Sequence, residues 1–398
     1  MQPVPKQTQR TEPAPIPDLR PFVVEPLILA RLDGAAAGNL TVALCTAALT
    51  ALAAIWSAAA SGLFLRSKDA DALWNDIWLF ALRNESNGVD TSVPYLRDYP
   101  SIILTFTIAA SVPLVYALYR GAASLHSEME ASGCVKYDEA GRRKLTEAVE
   151  AVNLRLRRWG KFSPLAFAVA LAFTTLTNLA LQSGLFGFLA PGLYDEWWAS
   201  LQPLRPGGVV WILFGAIGIY MVYAEAVVGL TYVSFLKRLH NDYQFRANML
   251  NPDGFFGWLR LRQLITNMQA GALCTLLSAW ALSFFLEPAT GTIATVVLLS
   301  VFIGVVGYVF FAVNINFRRQ VRRDKEAQTR EVAEEIKKNA GRTDTEGLLL
   351  LLVAYQRLEY IAKIPSTPIR QRWLVAGALS ILGPISAISI QVVKYFSP

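Results

Sequence analysis

This chain is poor in the residues that carry most enzyme chemistry, and poor in charge. Its 398 residues include three cysteines and two histidines. Three cysteines cannot pair evenly, and Cys45 and Cys274 lie inside apolar runs, so a disulfide scaffold is excluded. Cys134 stands alone in a loop expected to be reducing. His126 and His240 are far apart, which argues against a histidine triad, a haem pair or a histidine metal cluster. The chain has no phosphate-cradling glycine loop, no dinucleotide fingerprint and no zinc-helix motif. Charged residues make up 17% of the sequence, below the roughly one quarter of soluble domains. With 54% hydrophobic residues, most of the chain is not disordered either. No metal, no cofactor and no enzymatic activity is expected.

What is abundant is long uncharged sequence. A helix needs roughly 20 apolar residues to cross about 30 Å of hydrocarbon. Seven stretches qualify or nearly do: 39–65, 101–119, 162–185, 209–236, 270–286, 292–313 and 373–393. In lipid every backbone polar group must be satisfied within the segment, so these runs are helices and the expected fold is all-α. The fifth and sixth are joined by Glu287-Pro288-Ala289-Thr290-Gly291, read as a tight turn that makes them an antiparallel hairpin. With the N-terminus in the cytoplasm, 31 of the 37 Lys and Arg fall inside and 6 outside. That bias predicts N-inside, C-outside. Acidic residues divide 20 inside, 9 outside and one within a span. The net charge of +7 is therefore mostly a topology signal, with a contribution from anionic headgroups open. Nucleic acid is not an expected partner, because no compact basic patch interleaves with aromatics.

The organisation follows. Residues 1–38 read as a disordered, proline-rich cytoplasmic tail and not a signal peptide. Spans one and two occupy 39–119, with 69–83 between them as an interfacial helix carrying Leu73, Trp74, Ile77, Trp78 and Ala81 on one stripe. Trp197 and Trp198, in the next outer loop, read as headgroup-level anchors. Residues 120–161 form a cytoplasmic helical loop, where Leu145, Ala148, Val149, Val152, Leu156 and Trp159 share one helical face. Spans three and four fill 162–236, an elbow loop 237–269, and the hairpin 270–313. Residues 314–372 form a cytoplasmic helical hairpin: 317–339 continues span six, Gly341 breaks it, and 348–364 restarts as a buried cytoplasmic helix. Span seven and an outer C-terminus occupy 373–398. The apolar faces of these stalks predict a cytoplasmic bundle and a homo-oligomer. The alanine-rich, cysteine-poor composition leans towards the bacterial inner membrane.

Three sets of residues stand out. Glu225 is the one ionisable residue within a span, and such groups are costly and hence suspect. Thr174, Asn178 and Gln182, spaced four apart, put a polar stripe on span three. Counting from the nearest basic residues sets Thr174 at nearly the depth of Glu225. One reading is a polar cavity of Thr174, Asn178, Gln182, Tyr220, Tyr223 and Glu225 for a cation, proton or small ligand; the other is hydrogen bonding that fastens two helices. On span seven, Ala376, Ser380, Gly383, Ala387 and Gln391 form a small, weakly polar stripe that either packs closely or lines a pore. Finally, Asn251-Pro252-Asp253-Gly254 forms a turn, and Gly257 and Trp258 follow it into an elbow helix.

That last stretch resembles a Pro-Asp-Gly-x-x-Gly element of uncharacterised polytopic bacterial membrane proteins, over about a tenth of the chain; no activity is implied. In topology alone, seven helices with an intracellular bundle ahead of the last are similar to the insect chemoreceptor channels. Three functions remain open: an oligomeric ion channel gated through its cytoplasmic bundle, a secondary or proton-coupled carrier centred on Glu225, and a membrane-anchored sensor or scaffold.

Overall fold

A computed structural model describes residues 98–136, 139–183, 196–242 and 257–364, with 92–93, 95, 244–245, 248, 255 and ten positions between 41 and 59. Those ten positions are helical. The main helices are α1 (Tyr99–Ala131), α2 (Glu139–Lys161), α3 (Ser163–Ser183), α4 (Pro206–Asp242), α5 (Leu259–Asn339) and α6 (Thr345–Lys363). The architecture is all-α. Four two-residue strands join its loops: β1 (Ser92–Val93) pairs in parallel with β3 (Glu196–Trp197), and β2 (Val135–Lys136) pairs antiparallel with β4 (Gln244–Phe245). Expectations for 1–38, 69–83 and 373–398 lie outside the described residues, as do Asn251, Pro252, Asp253 and Gly254.

Among the described residues three helices are long and apolar enough to cross a membrane: Pro100–Ala122, Ser163–Ala180 and Pro206–Phe235. They coincide with the second, third and fourth expected spans. Large apolar side chains on them remain exposed, including Phe106, Leu165, Val169, Phe173, Leu176 and Leu230. A surface of that kind suits lipid and not water. In lipid the transfer of apolar surface no longer drives helices together, so close packing and interhelical hydrogen bonds must. The Tyr232 hydroxyl donates to the Ala122 carbonyl at 2.6 Å, and Ser278 Oγ to Thr107 Oγ1 at 2.8 Å.

The expected turn at 287–291 takes a different form. Backbone hydrogen bonding stays helical from Leu259 to Asn339, so α5 has no separate loop there. Yet Ile303 packs against Ala272 and Leu276. A straight helix would hold Ile303 about 40 Å from Leu276 at about 1.5 Å per residue. The helix therefore doubles back, and the midpoint of the contact falls near residues 288–290, at the Pro-Ala-Thr sequence.

At the α2 end of the bundle, where the sequence places the cytoplasm, one core gathers Leu118, Leu125, Val149, Leu156, Phe235, Leu264 and Val321. The amphipathic stripe of α2 supplies Leu145, Val149, Val152 and Leu156 to it, whereas Trp159, on the same stripe, is exposed. Gly257 has φ +87°, and a side chain there would meet Ser132 and Cys134. Trp258, next along, is buried in the same core and precedes α5. This elbow plugs the joint between α1 and α5.

The restarted helix α6 departs from expectation. Only Gly347, Ala354 and Ile361 within it are buried, at seven-residue spacing, while Leu348, Leu349, Leu352, Tyr355 and Tyr360 are exposed. A single supporting helix, α5, covers only a narrow strip of its neighbour. Most of the apolar surface of α6 therefore stays open among the described residues.

Candidate functional site: an intramembrane cavity

Four helices leave a cavity of about 210 Å³ between them. Thr107 and Ser111 reach it from α1, Thr174 and Asn178 from α3, Glu225 from α4, and Thr275 and Ser278 from α5. Along α4 it is bordered from Trp211 to Glu225, 14 residues or about 21 Å at helical rise. Most of the remaining wall is apolar, and Phe173 and Ile219, themselves exposed, bring one side to the surface of the described helices.

The polar atoms share one character. Thr107 donates its hydroxyl proton to the Leu104 carbonyl, Ser111 to Ile108 and Thr174 to Ala170, within 2.8–3.1 Å. Asn178 gives its amide nitrogen to the Thr174 carbonyl at 2.8 Å, leaving its buried Oδ1 with no partner. What faces the cavity is therefore mostly lone pairs plus one carboxylate. Among the lining residues there is no Lys, Arg or His.

Glu225 is seated by a missing side chain. A Cβ on Gly271 of α5 would lie 2.5 Å from its Cδ and 2.8 Å from Oε2, so only glycine leaves room for the carboxyl group. Thr275 Oγ1 donates to Oε2 at 3.4 Å. An ionised carboxylate in such surroundings is costly unless protonated or paired with a cation.

The structure brings together only part of the predicted set. Thr174, Asn178 and Glu225 border the cavity. Gln182 does not: its Oε1 accepts the backbone N–H of Leu201 at 2.6 Å and of Gln202 at 3.2 Å, capping a loop. Tyr220 pairs with Ser163, and Tyr223 donates to the Trp159 carbonyl at 2.8 Å; both tie α4 to the α2–α3 junction. Nor do Thr174 and Glu225 share a depth. Thr174 abuts Gly215, ten residues or about 15 Å up α4 from Glu225. Counting from the basic ends misplaced them because α4 runs on to Asp242, well past the level at which α3 begins. The polar groups are thus spread along the cavity: Glu225 with Thr275 at one level, Ser278 bonded to Thr107 about one turn further along α5, and Thr174 with Asn178 beyond, against Gly215. The proposed pore stripe, Ala376, Ser380, Gly383, Ala387 and Gln391, lies outside the described residues.

The far end of the cavity holds a group the sequence reading missed. Asp98 is fully buried at the start of α1, accepting Ser101 N at 3.1 Å as an N-cap. Its Oδ2 also accepts both indole N–H groups of Trp197 and Trp198, at 2.6 and 2.8 Å. The two tryptophans are therefore not headgroup anchors. They are buried with Tyr95 and Trp211 in a cluster of edge-to-face rings. Trp197 and Trp211 also close the cavity at this end. Burial raises the Asp98 carboxyl above its ordinary range, against the pull of Ser101 and the two indoles. The signal was present as Asp98-Tyr99-Pro100-Ser101, an N-cap followed by proline in the first turn.

No protein-family model, curated protein or solved structure matches this chain.

Proposed function

We propose that this protein is a multi-pass membrane carrier that takes a small cation, or a proton, into the cavity between α1, α3, α4 and α5. In this reading the two limbs of α5 and the stretches 39–65 and 373–393 complete seven spans, N-terminus inside. The observation that carries it is a polar lining made mostly of acceptors. The Thr107, Ser111 and Thr174 hydroxyl protons are committed to helix carbonyls, Asn178 Oδ1 is bare, and Glu225 has no cationic partner among the described residues. Such a wall favours positive charge over an anion. Polar groups spaced over the roughly 15 Å from Glu225 to Thr174, with the Ser278–Thr107 pair between them, would let a cation be handed along the cavity. A channel around the last span is the rival, but its lining stripe is outside the described residues and no observation favours it.

The test is uptake of Na⁺, K⁺ or methylammonium, and of protons with an internal pH dye, in proteoliposomes. Wild-type protein should move at least one of these, and both Glu225→Gln and Asn178→Leu should reduce that flux at least tenfold. Flux unaffected by either substitution would overturn the proposal, and large unitary currents would favour the channel.

A further inference from the structure

The C-terminal half of α2 carries charge that no described residue neutralises. Its acidic residues, Glu139, Glu147 and Glu150, all lie in the first half of the helix, while Arg155, Arg157, Arg158 and Lys161 crowd its last seven residues. Two of the three cations in the first half find partners: Arg142 approaches Glu130 at 3.6 Å, and Arg143 meets Glu147 at 3.3 Å. Among the described residues the four cations of the second half form no ion pair. Arg155 touches the Ser234 hydroxyl at 3.4 Å and remains exposed.

These cations flank a groove of about 440 Å³ formed by Leu154, Arg155, Arg158, Trp159 and Phe162. Its apolar members are exposed although they adjoin a well-packed core. The helix scarcely pauses here. Phe162 N–H donates to the Trp159 carbonyl, and Ala166 N–H to the Phe162 carbonyl, so α2 leads directly into the membrane-length α3. From Phe162 an exposed apolar stripe continues at positions 165, 169, 173 and 176, on one face of α3. The juxtaposition is a basic, aromatic-floored groove at the mouth of a lipid-length apolar track.

We propose that this groove binds the headgroup of an anionic phospholipid. The phosphate lies between Arg155 and Arg158, Trp159 sits at headgroup level, and an acyl chain follows the stripe that begins at Phe162. Arginine favours phosphate through its planar, multi-donor geometry, and clustered cations next to a span are what anionic lipids attract. The inference rests on α3 crossing a bilayer and is independent of what the cavity carries.

The experiment uses the full chain in detergent, with native mass spectrometry of lipid adducts and the unfolding midpoint read together. Dioleoyl phosphatidylglycerol, dioleoyl phosphatidylcholine and inorganic phosphate are the probes. Near-surface cations contribute about fivefold each to anionic-lipid binding, so Arg155→Gln/Arg158→Gln should weaken phosphatidylglycerol binding roughly 25-fold. Phosphatidylcholine binding should stay unchanged. The control, Arg143→Gln/Lys144→Gln, removes equal charge from the far end of α2 and should leave the preference intact. Each single substitution, Arg155→Gln or Arg158→Gln, should show an intermediate loss, which protects the test if the double variant folds poorly. Equal loss in the control would mean a diffuse charge effect and overturn the site. Stabilisation by inorganic phosphate equal to that by phosphatidylglycerol, or no preference in wild type, would overturn the lipid assignment.

Discussion

Replacing Asp98 by alanine tests the far end of the cavity most sharply, because one carboxyl group serves four donors there, the Ser101 N–H and hydroxyl and the two indole N–H groups. The substitution removes an N-cap, worth about 1 kcal/mol. It also strands two indole N–H groups that are buried with their rings, at about 1–3 kcal/mol each. The expected loss is therefore about 3–7 kcal/mol, and the unfolding midpoint should fall on the order of 10 °C. Intrinsic fluorescence is the apt assay, since Trp197, Trp198 and Trp211 form the affected cluster; their emission should shift to the red in the variant before global unfolding. Asp98→Asn keeps one acceptor oxygen and should lose about half as much. The pH dependence has a definite sign. Burial raises the folded-state value above the ordinary 3.8, so the folded chain binds a proton more readily than the unfolded one. This contribution is complete below about pH 4 and is lost as pH rises through the folded-state value. Relative to Asp98→Asn, which cannot titrate, wild type should gain stability on acidification from neutral pH. An alanine variant melting within about 2 °C of wild type would refute the four-donor account. A wild-type advantage that shrinks on acidification would refute the assigned sign.

Other substitutions probe the remaining joints. Gly271→Ala should drive the Glu225 carboxyl out of its seat and reduce cation flux, with helix content unchanged by circular dichroism, because alanine itself favours helix by about 1 kcal/mol. Tyr232→Phe removes the bond to the Ala122 carbonyl and should cost about 1 kcal/mol in a denaturant titration. Gly257→Ala forces a side chain onto a φ of +87° beside Ser132 and should cost about 1–3 kcal/mol, measured the same way.

The sequence was most legible where one physical rule dominates a whole segment. Hydrocarbon admits only long apolar helices, so Pro100–Ala122, Ser163–Ala180 and Pro206–Phe235 fall where the apolar runs place them. Water on one side and packing on the other impose the helical period on α2, and its Val149 and Leu156 are buried as that period requires. Relations between segments were much less legible. A residue count gives depth only relative to the end of its own helix, and α3 and α4 meet with an offset set by Gly215 against Thr174 and Tyr220 against Ser163. Residue type misled for Trp197 and Trp198, because an indole near a span end serves equally at a headgroup or, given a buried acceptor such as Asp98, inside a core. For α6, the pattern identified an apolar helix but could not say that its one described neighbour would cover only Gly347, Ala354 and Ile361.

The packing itself gives the cavity its mechanical setting. The two large cores among the described residues have no buried residue in common and meet at Ile217, which packs against both. One holds Tyr220, Tyr223 and the α2 end of the bundle; the other holds Tyr95, Trp197, Trp198 and Trp211. The cavity lies between them, with Glu225 bordering the first and the tryptophans bordering the second. Close-packed clusters shift between discrete arrangements more readily than they deform continuously. A carrier needs to open one end while the other stays shut, and two cores divided by a cavity and bridged by Ile217 permit that motion, whereas one continuous core would couple both ends. Asp98 holds one closure through four donors. The Tyr223–Trp159 and Tyr220–Ser163 bonds hold the other. Weakening either set should therefore change access from its own side alone.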